Sequence, residues 1–226
     1  MTEKTIEVKY PGVSPVFFIG ASAGGVAAFS HIAESLPEDF PAPLFFLLHK
    51  IRDSKAPAGN MQLVLQSKTR LKVVEPNDGD VVKSGHIYLP PENLNIGIED
   101  SQIFFSSKPD DDKWRPSINF LFKSGAREYK ERAVAVLLTG KLDDGVEGLQ
   151  ETSYQGGITI AQSPADAYEP HLPLNAVLRD HPSHVLPLND IPSLLCELAG
   201  CHHFDNQKEV LRESAIVAKK LKKKLK

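Results

Sequence analysis

Residues 15–36 constrain this chain more than any other stretch. After Pro15, Val-Phe-Phe-Ile runs into Gly20-Ala-Ser-Ala-Gly24-Gly25, and the following segment repeats apolar residues at Val26, Phe29, Ile32, Ala33 and Leu36. The apolar run reads as a buried strand, the glycines as a tight turn, and the period of the last segment as an amphipathic helix. A strand buried on both faces and followed at once by a helix belongs to a βαβ-built sheet, not to a sandwich or a bundle.

The same grammar recurs. Leu44-Phe45-Phe46-Leu47-Leu48 is a continuous apolar run that stops at His49-Lys50; Ala133 to Leu138 stops at Thr139-Gly140 and leads into a short helix over Gly145 to Tyr154. Gly157 to Ala161 and Ser183 to Leu188 read as further strands. The expected fold is α/β, doubly wound, with a mostly parallel sheet and right-handed crossovers. Between 70 and 108 the strands shorten and are broken by polar residues, at Leu71 to Val74, His86 to Leu89 and Ile103 to Ser106, which reads as an antiparallel excursion inserted into the sheet. The chain divides into an extension over 1–14, one domain over 15–200 and a tail over 201–226. The helix before the Ala133 strand is expected to open at Pro116-Ser117.

Composition removes several classes of function. A formal net charge of −3 offers no general pull toward nucleic acid, and no stretch approaches the roughly 20 apolar residues that span a bilayer, so the expected compartment is the cytoplasm. Cys196 and Cys201 are too few for a disulfide framework or a thiolate metal site. The acidic run Asp110 to Asp112 lacks the glycine-punctuated spacing of a calcium loop and reads as solvated. Six of the last eight residues are lysine; a basic amphipathic helix could meet anionic lipid, RNA or an acidic partner, but a frayed, solvated end is the plainer reading.

Three polar residues lie just past apolar strands: Ser22 after the first, His49 after the second, and one of the adjacent carboxylates Asp143 and Asp144 past the run ending at Leu138. In an open α/β sheet the carboxyl ends of the strands line the crevice where ligands bind. A serine, a histidine and a carboxylate meeting there form an acyl-transfer set: the imidazole takes the hydroxyl proton, and the carboxylate orients the imidazole. The set needs no metal and no cofactor. Gly20 to Gly24 also fits the Gly-x-Ser-x-Gly elbow. Phosphate binding competes for the same turn, but Ser22 stands where a dinucleotide site has its second glycine, and the P-loop lysine is missing. The order Ser, His, Asp differs from that of α/β-hydrolases, which excludes a standard assignment to that class.

With these motifs in view, residues 15–200 resemble the catalytic domain of CheB, the bacterial chemotaxis protein-glutamate methylesterase. The resemblance rests on Ile19 to Gly25, His49, Gly85-His-Ile-Tyr-Leu-Pro90, Arg115-Pro-Ser117 with Asn119 and Phe122, Leu138-Thr-Gly140 with Asp144-Gly145, and Thr159-Ile-Ala-Gln162. It implies a Rossmann-like sheet with an antiparallel hairpin, and hydrolysis of glutamate γ-methyl esters on chemoreceptors, with glutamine deamidation in some members. It also implies Ser22 as nucleophile, His49 as base and Asp144 rather than Asp143 as the orienting carboxylate. Oxyanion donors are expected among Ala23, Gly24 and Lys141, and Arg115 as a residue near the substrate. Where the family has Met-Gly, this chain has Lys141-Leu142, so two other readings stand beside the methylesterase: a binding or adaptor module with weakened turnover, and an esterase for another acyl group. The receiver domain common in front of the family's catalytic domain has no counterpart in residues 1–14, so any regulator is expected on another chain.

Overall fold

A computed structural model of the chain describes residues 14–49, 61–91, 93–107 and 116–201. The acidic run at 110–112, Arg115 and the lysine-rich end lie outside the described residues. In chain order the elements are β1 (Val16–Ala21), α1 (Gly25–Ser35), β2 (Leu44–Leu48), α2 (Met61–Gln66), β3 (Lys72–Val74), β4 (His86–Tyr88), β5 (Asn95–Glu99) and β6 (Gln102–Ser106). They continue with α3 (Ile118–Tyr129), β7 (Ala133–Leu137), α4 (Val146–Tyr154), β8 (Ile158–Gln162), α5 (His171–Arg179), β9 (His184–Leu186) and α6 (Ile191–Ala199).

Seven strands form one parallel sheet in the order β3-β4-β2-β1-β7-β8-β9. The continuous apolar runs have the expected cause: both faces of the sheet are covered. Phe17, Ile19 and Ala21 of β1 share one core with Phe46, Val136, and Phe29 and Ile32 of α1. Val16 and Phe18 belong to the other core, with Phe45, Ala135 and Leu137, the α3 residues Leu121 and Phe122, and Leu149 of α4. Each fully buried Phe, Ile, Leu or Val side chain among these contributes roughly 1.5–3 kcal/mol from burial alone.

The helix after β1 buries Ala28, Phe29, Ile32 and Ala33 as the period requires, but Val26 is exposed, in the first turn at the end of the helix nearest the sequence Ser22-Ala23. The excursion between 70 and 108 needs a larger correction. β3 and β4 are parallel strands that extend the main sheet beyond β2; among the described residues the antiparallel pairing is that of β5 with β6, a separate two-stranded ribbon, with one isolated antiparallel bridge between Val81 and Gln102. Three-residue strands at the sheet margin are too short to show the continuous apolar run that marks a central parallel strand.

The β5–β6 ribbon lies against α3. Its turn puts Asp100 and Ser101 at φ 50° and 60°, and Glu128 of α3 accepts hydrogen bonds from both amides, at 3.2 and 2.8 Å. Two consecutive residues at positive φ are what a two-residue hairpin turn requires to match strand twist. No helix among the described residues is long and apolar enough to cross a membrane.

Candidate active site

β1 has β2 on one side and β7 on the other, so the chain reverses its direction of travel across the sheet at this strand. Ligand crevices form outside the carboxyl ends of strands at such a point. Ser22, His49 and the loop 138–145 open from the ends of these three neighbouring strands. The His49 amide donates to Ala21 O at 2.8 Å and the Ser22 amide to Thr139 O at 3.0 Å, which continues the ladder one step past β1 on each side.

The turn after Ser22 closes through a hydrogen bond from the Gly25 amide to Ser22 O at 2.9 Å. Gly24 caps α1 at φ 80°, a left-handed conformation that glycine adopts without strain, and offers α1 no side-chain cap. The first turn of α1 contains no acidic residue, so the positive end of the helix stays uncompensated beside Ser22. On the far side, Gly140 closes on the serine: a Cβ there would stand 2.8 Å from Ser22 Cβ and 2.7 Å from Leu172 Cδ2.

Ser22, His49 and Asp144 are all buried, at 8%, 4% and 3% exposure, whereas Asp143 is exposed and pairs with Arg179 at 2.9 Å. Neither carboxylate caps α4, although spacing alone allowed it; the side chain of Asn119 takes that part. Asp144 Oδ1 accepts from Ser117 Oγ at 3.1 Å and from the Asn119 amide at 3.0 Å, and Oδ2 accepts from the Ile118 amide at 2.8 Å. Burial pushes the Asp144 carboxyl above the ordinary carboxylate value, while these amide and hydroxyl donors and His49 pull it back. Burial also pushes His49 below the ordinary imidazole value, with the Asp144 charge opposing. A buried imidazole held neutral beside a carboxylate can accept a proton at neutral pH.

Several amides at the crevice are already committed. The Thr139 amide donates to Gln162 Oε1, the Gly140 amide to Glu169 O and the Gly145 amide to Asn119 Oδ1. The amides of Ala23, Gly24 and Lys141 share no hydrogen bond with the described residues. Lys141 is exposed and its ammonium lies 3.8 Å from the Glu169 carboxylate. Leu142 adopts φ 65° and its carbonyl accepts from Asn175 Nδ2 at 2.7 Å. A leucine therefore holds the left-handed position for which glycine is suited, at a cost of about 1 kcal/mol. Leu142→Gly is expected to leave the unfolding temperature level or raise it by a few degrees, and Leu142→Val to lower it, in thermal melts of the three proteins.

Sequence reasoning gave Thr139, Gln162 and Ser117 no part in the site, although they lie in the motifs of the resemblance, and it did not single out Asn95 at all. The Thr139 hydroxyl donates to Ala23 O at 2.9 Å and accepts from the Glu169 amide at 2.8 Å, tying the Ser22 turn to the loop before α5. The strand-end rule that selected Ser22 and His49 would have selected Gln162 at the end of β8. Cys196 is buried in the core and Cys201 half-buried, both as free thiols. Among the described residues no group of acidic, histidine or cysteine side chains could hold a metal ion.

Comparison with known proteins agrees with this architecture. Residues 17–195 match the family model described as CheB methylesterase. A protein-glutamate methylesterase/protein-glutamine glutaminase 2 of Anaeromyxobacter dehalogenans is 36% identical over 183 residues, covering 81% of this chain and 53% of that protein. The Thermotoga maritima protein-glutamate methylesterase/protein-glutamine glutaminase is 30% identical over 201 residues, covering 85% and 57%. The chain thus spans little more than half the length of these relatives. The crystal structure of the Thermotoga maritima CheB methylesterase catalytic domain superposes with a TM-score of 0.73 at 30% identity, over 82% of this chain and 99% of that one.

Proposed function

Because the chain belongs to the CheB methylesterase family, we propose that it hydrolyses glutamate γ-methyl esters on a chemoreceptor in the cytoplasm, with Ser22 as nucleophile, His49 as base and Asp144 as its partner. The observation that carries this reading is the burial of those three side chains in loops leaving neighbouring strand ends, with His49 and Asp144 acting on each other's protonation. The relatives' names supply the substrate class; the chemistry follows from the residues.

In the first step Ser22 Oγ attacks the ester carbonyl carbon as His49 takes its proton, giving a tetrahedral intermediate. The C–O bond to the methoxy group then breaks, and the proton on His49 leaves with methanol. Water, deprotonated by His49, attacks the acyl-serine and releases the glutamate carboxylate and free Ser22. On a glutamine side chain the same sequence expels ammonia. The uncommitted amides of Ala23, Gly24 and Lys141, with the positive end of α1 behind the first two, would carry the oxyanion. Arg115 stays a candidate for substrate contact.

Lys141-Leu142 is a ground for the alternative reading of a weakened adaptor. That ground is reduced by the loop itself, in which Leu142 adopts the left-handed conformation open to glycine and the exposed Lys141 ammonium lies toward Glu169. Methanol release from a methylated chemoreceptor fragment, compared with release from simple methyl esters, tests the proposal; activity on simple esters alone would leave the fold's chemistry and remove its proposed substrate. The pH dependence should be asymmetric. Because burial lowers the His49 pKa from 6.5, kcat/KM is expected to be full at pH 7 and to fall only below the ordinary imidazole range as His49 becomes protonated. An acid midpoint above that range would count against His49 as base.

A further inference from the structure

We infer that Asn119 and Ser117, in the opening turn of α3, are positioning residues for Asp144, and that Asn95 ties their placement to the β5–β6 ribbon. The inference rests on the esterase reading above and extends it to residues that touch neither substrate nor nucleophile.

Asn119 grips Asp144 from two directions. Its main-chain N–H donates to Asp144 Oδ1 at 3.0 Å, and its side-chain Oδ1 accepts from the amides of Gly145 and Gly148 at 2.9 and 2.8 Å. The first contact fixes the carboxylate; the second fixes the backbone immediately after it. Since Gly145 caps α4 without a side chain of its own, α4 borrows its cap from α3, just as α3 directs its free amides to a carboxylate that precedes α4. Neither helix can shift along the other without breaking both sets.

Ser117 adds a shared hydroxyl: Oγ donates to Asp144 and accepts from the Phe120 amide at 3.2 Å as the cap of α3. Its own amide donates to Asn95 Oδ1 at 2.9 Å, at the start of β5. Asn95, Ser117, Asn119 and Asp144 are all buried. A buried, hydrogen-bonded network of this kind holds one geometry, since each displaced group would leave a partner unsatisfied. The ribbon inserted beside the sheet therefore has a part in the site: it sets the height of the α3 amides that hold Asp144, and through Asp144 the orientation of His49. His49 and Asp144 act on each other's protonation, so a charge introduced at position 119 has a readout in the acid midpoint.

The test is the rate at which a fluorophosphonate probe acylates Ser22, measured against probe concentration and pH between about 5 and 9. Asn119→Ala and Ser117→Ala should react about 10- to 100-fold more slowly at saturating probe with an unchanged half-saturating concentration, the cost of a misplaced positioning group. Asn95→Leu should follow at about 10-fold. Asn119→Asp keeps an acceptor for Gly145 and Gly148, so it should react near the wild-type rate at high pH, with its acid midpoint raised because the added negative charge favours the imidazolium. A purely architectural role would lower the melting temperature of the Asn119→Ala and Ser117→Ala proteins and leave the acylation rate of their folded forms at the wild-type value. Folded Ser117→Ala and Asn119→Ala proteins that react at the wild-type rate would overturn the inference; if Asn119→Ala does not fold, Ser117→Ala and Asn119→Asp decide it by the same criteria. An unaltered Asn95→Leu rate would remove the ribbon from the device. A wild-type Ser22 that resists the probe would overturn the esterase reading itself, a distinct result.

Discussion

Replacing Ser22 with alanine is expected to lower methanol release from a γ-methyl glutamyl substrate by about 10⁴-fold or more, while the folded state keeps its stability to within about 1 kcal/mol. The two effects separate because Ser22 serves the fold through its backbone: its amide donates to Thr139 O and its carbonyl accepts from the Gly25 amide, and neither depends on Oγ. Its Cβ, which Gly140 approaches closely, is retained in alanine. Methanol release and thermal melts on the same preparation check both halves. A loss of less than about tenfold would place the nucleophile elsewhere.

Asp144→Asn is expected to behave differently, with activity down about 10³- to 10⁴-fold and stability down by about 1–3 kcal/mol. An amide cannot replace this carboxylate silently. With its NH2 at the Oδ2 position it faces the Ile118 N–H; turned over, it faces the Asn119 N–H. Either way a donor meets a donor in a buried site. The remaining activity should also carry a lower acid midpoint, because the Asp144 charge is what raises the His49 pKa against burial. Asp143→Asn, which disturbs only an exposed pair with Arg179, should change stability by less than about 0.5 kcal/mol and leave turnover at the wild-type level. Equal losses in the two variants would undo the assignment of Asp144.

The parallel sheet and two of the three residues in question were legible because one physical rule links them. A strand buried on both faces has no polar positions until its end, so the first polar residues after β1 and β2 mark the sheet edge where Ser22 and His49 lie. The rule loses force when a loop intervenes. Asp143 and Asp144 both follow β7 by several residues, and what separates them is the set of donors on Ser117, Ile118 and Asn119, 25 to 27 residues earlier in sequence. Periodicity cannot report a contact of that range; only the resemblance to known methylesterases chose between them. β5 was hidden for a local reason: Asn95-Ile-Gly-Ile-Glu carries a glycine at its centre, and a Cβ on Gly97 would come within 2.4 Å of the Phe104 ring. A residue required by packing there weakens the local strand signal. The lesson of β3 and β4 is complementary, since brief, polar-interrupted strands say little about direction.

The position of β1 between β2 and β7 also dictates when the crevice can exist during synthesis. A nascent chain that has emerged only through α3 can pair β1 with β2, yet one side of β1 then presents unpaired amides and carbonyls, an edge open to wrong partners. Ser22 lacks its Thr139 acceptor, and Asp144 has not been made. Completion waits for a segment more than 110 residues downstream of the serine, a long closure of the sort that slows parallel sheets. Mutations that loosen β7 should therefore show up as aggregation and low yield of soluble protein before they show up as altered turnover.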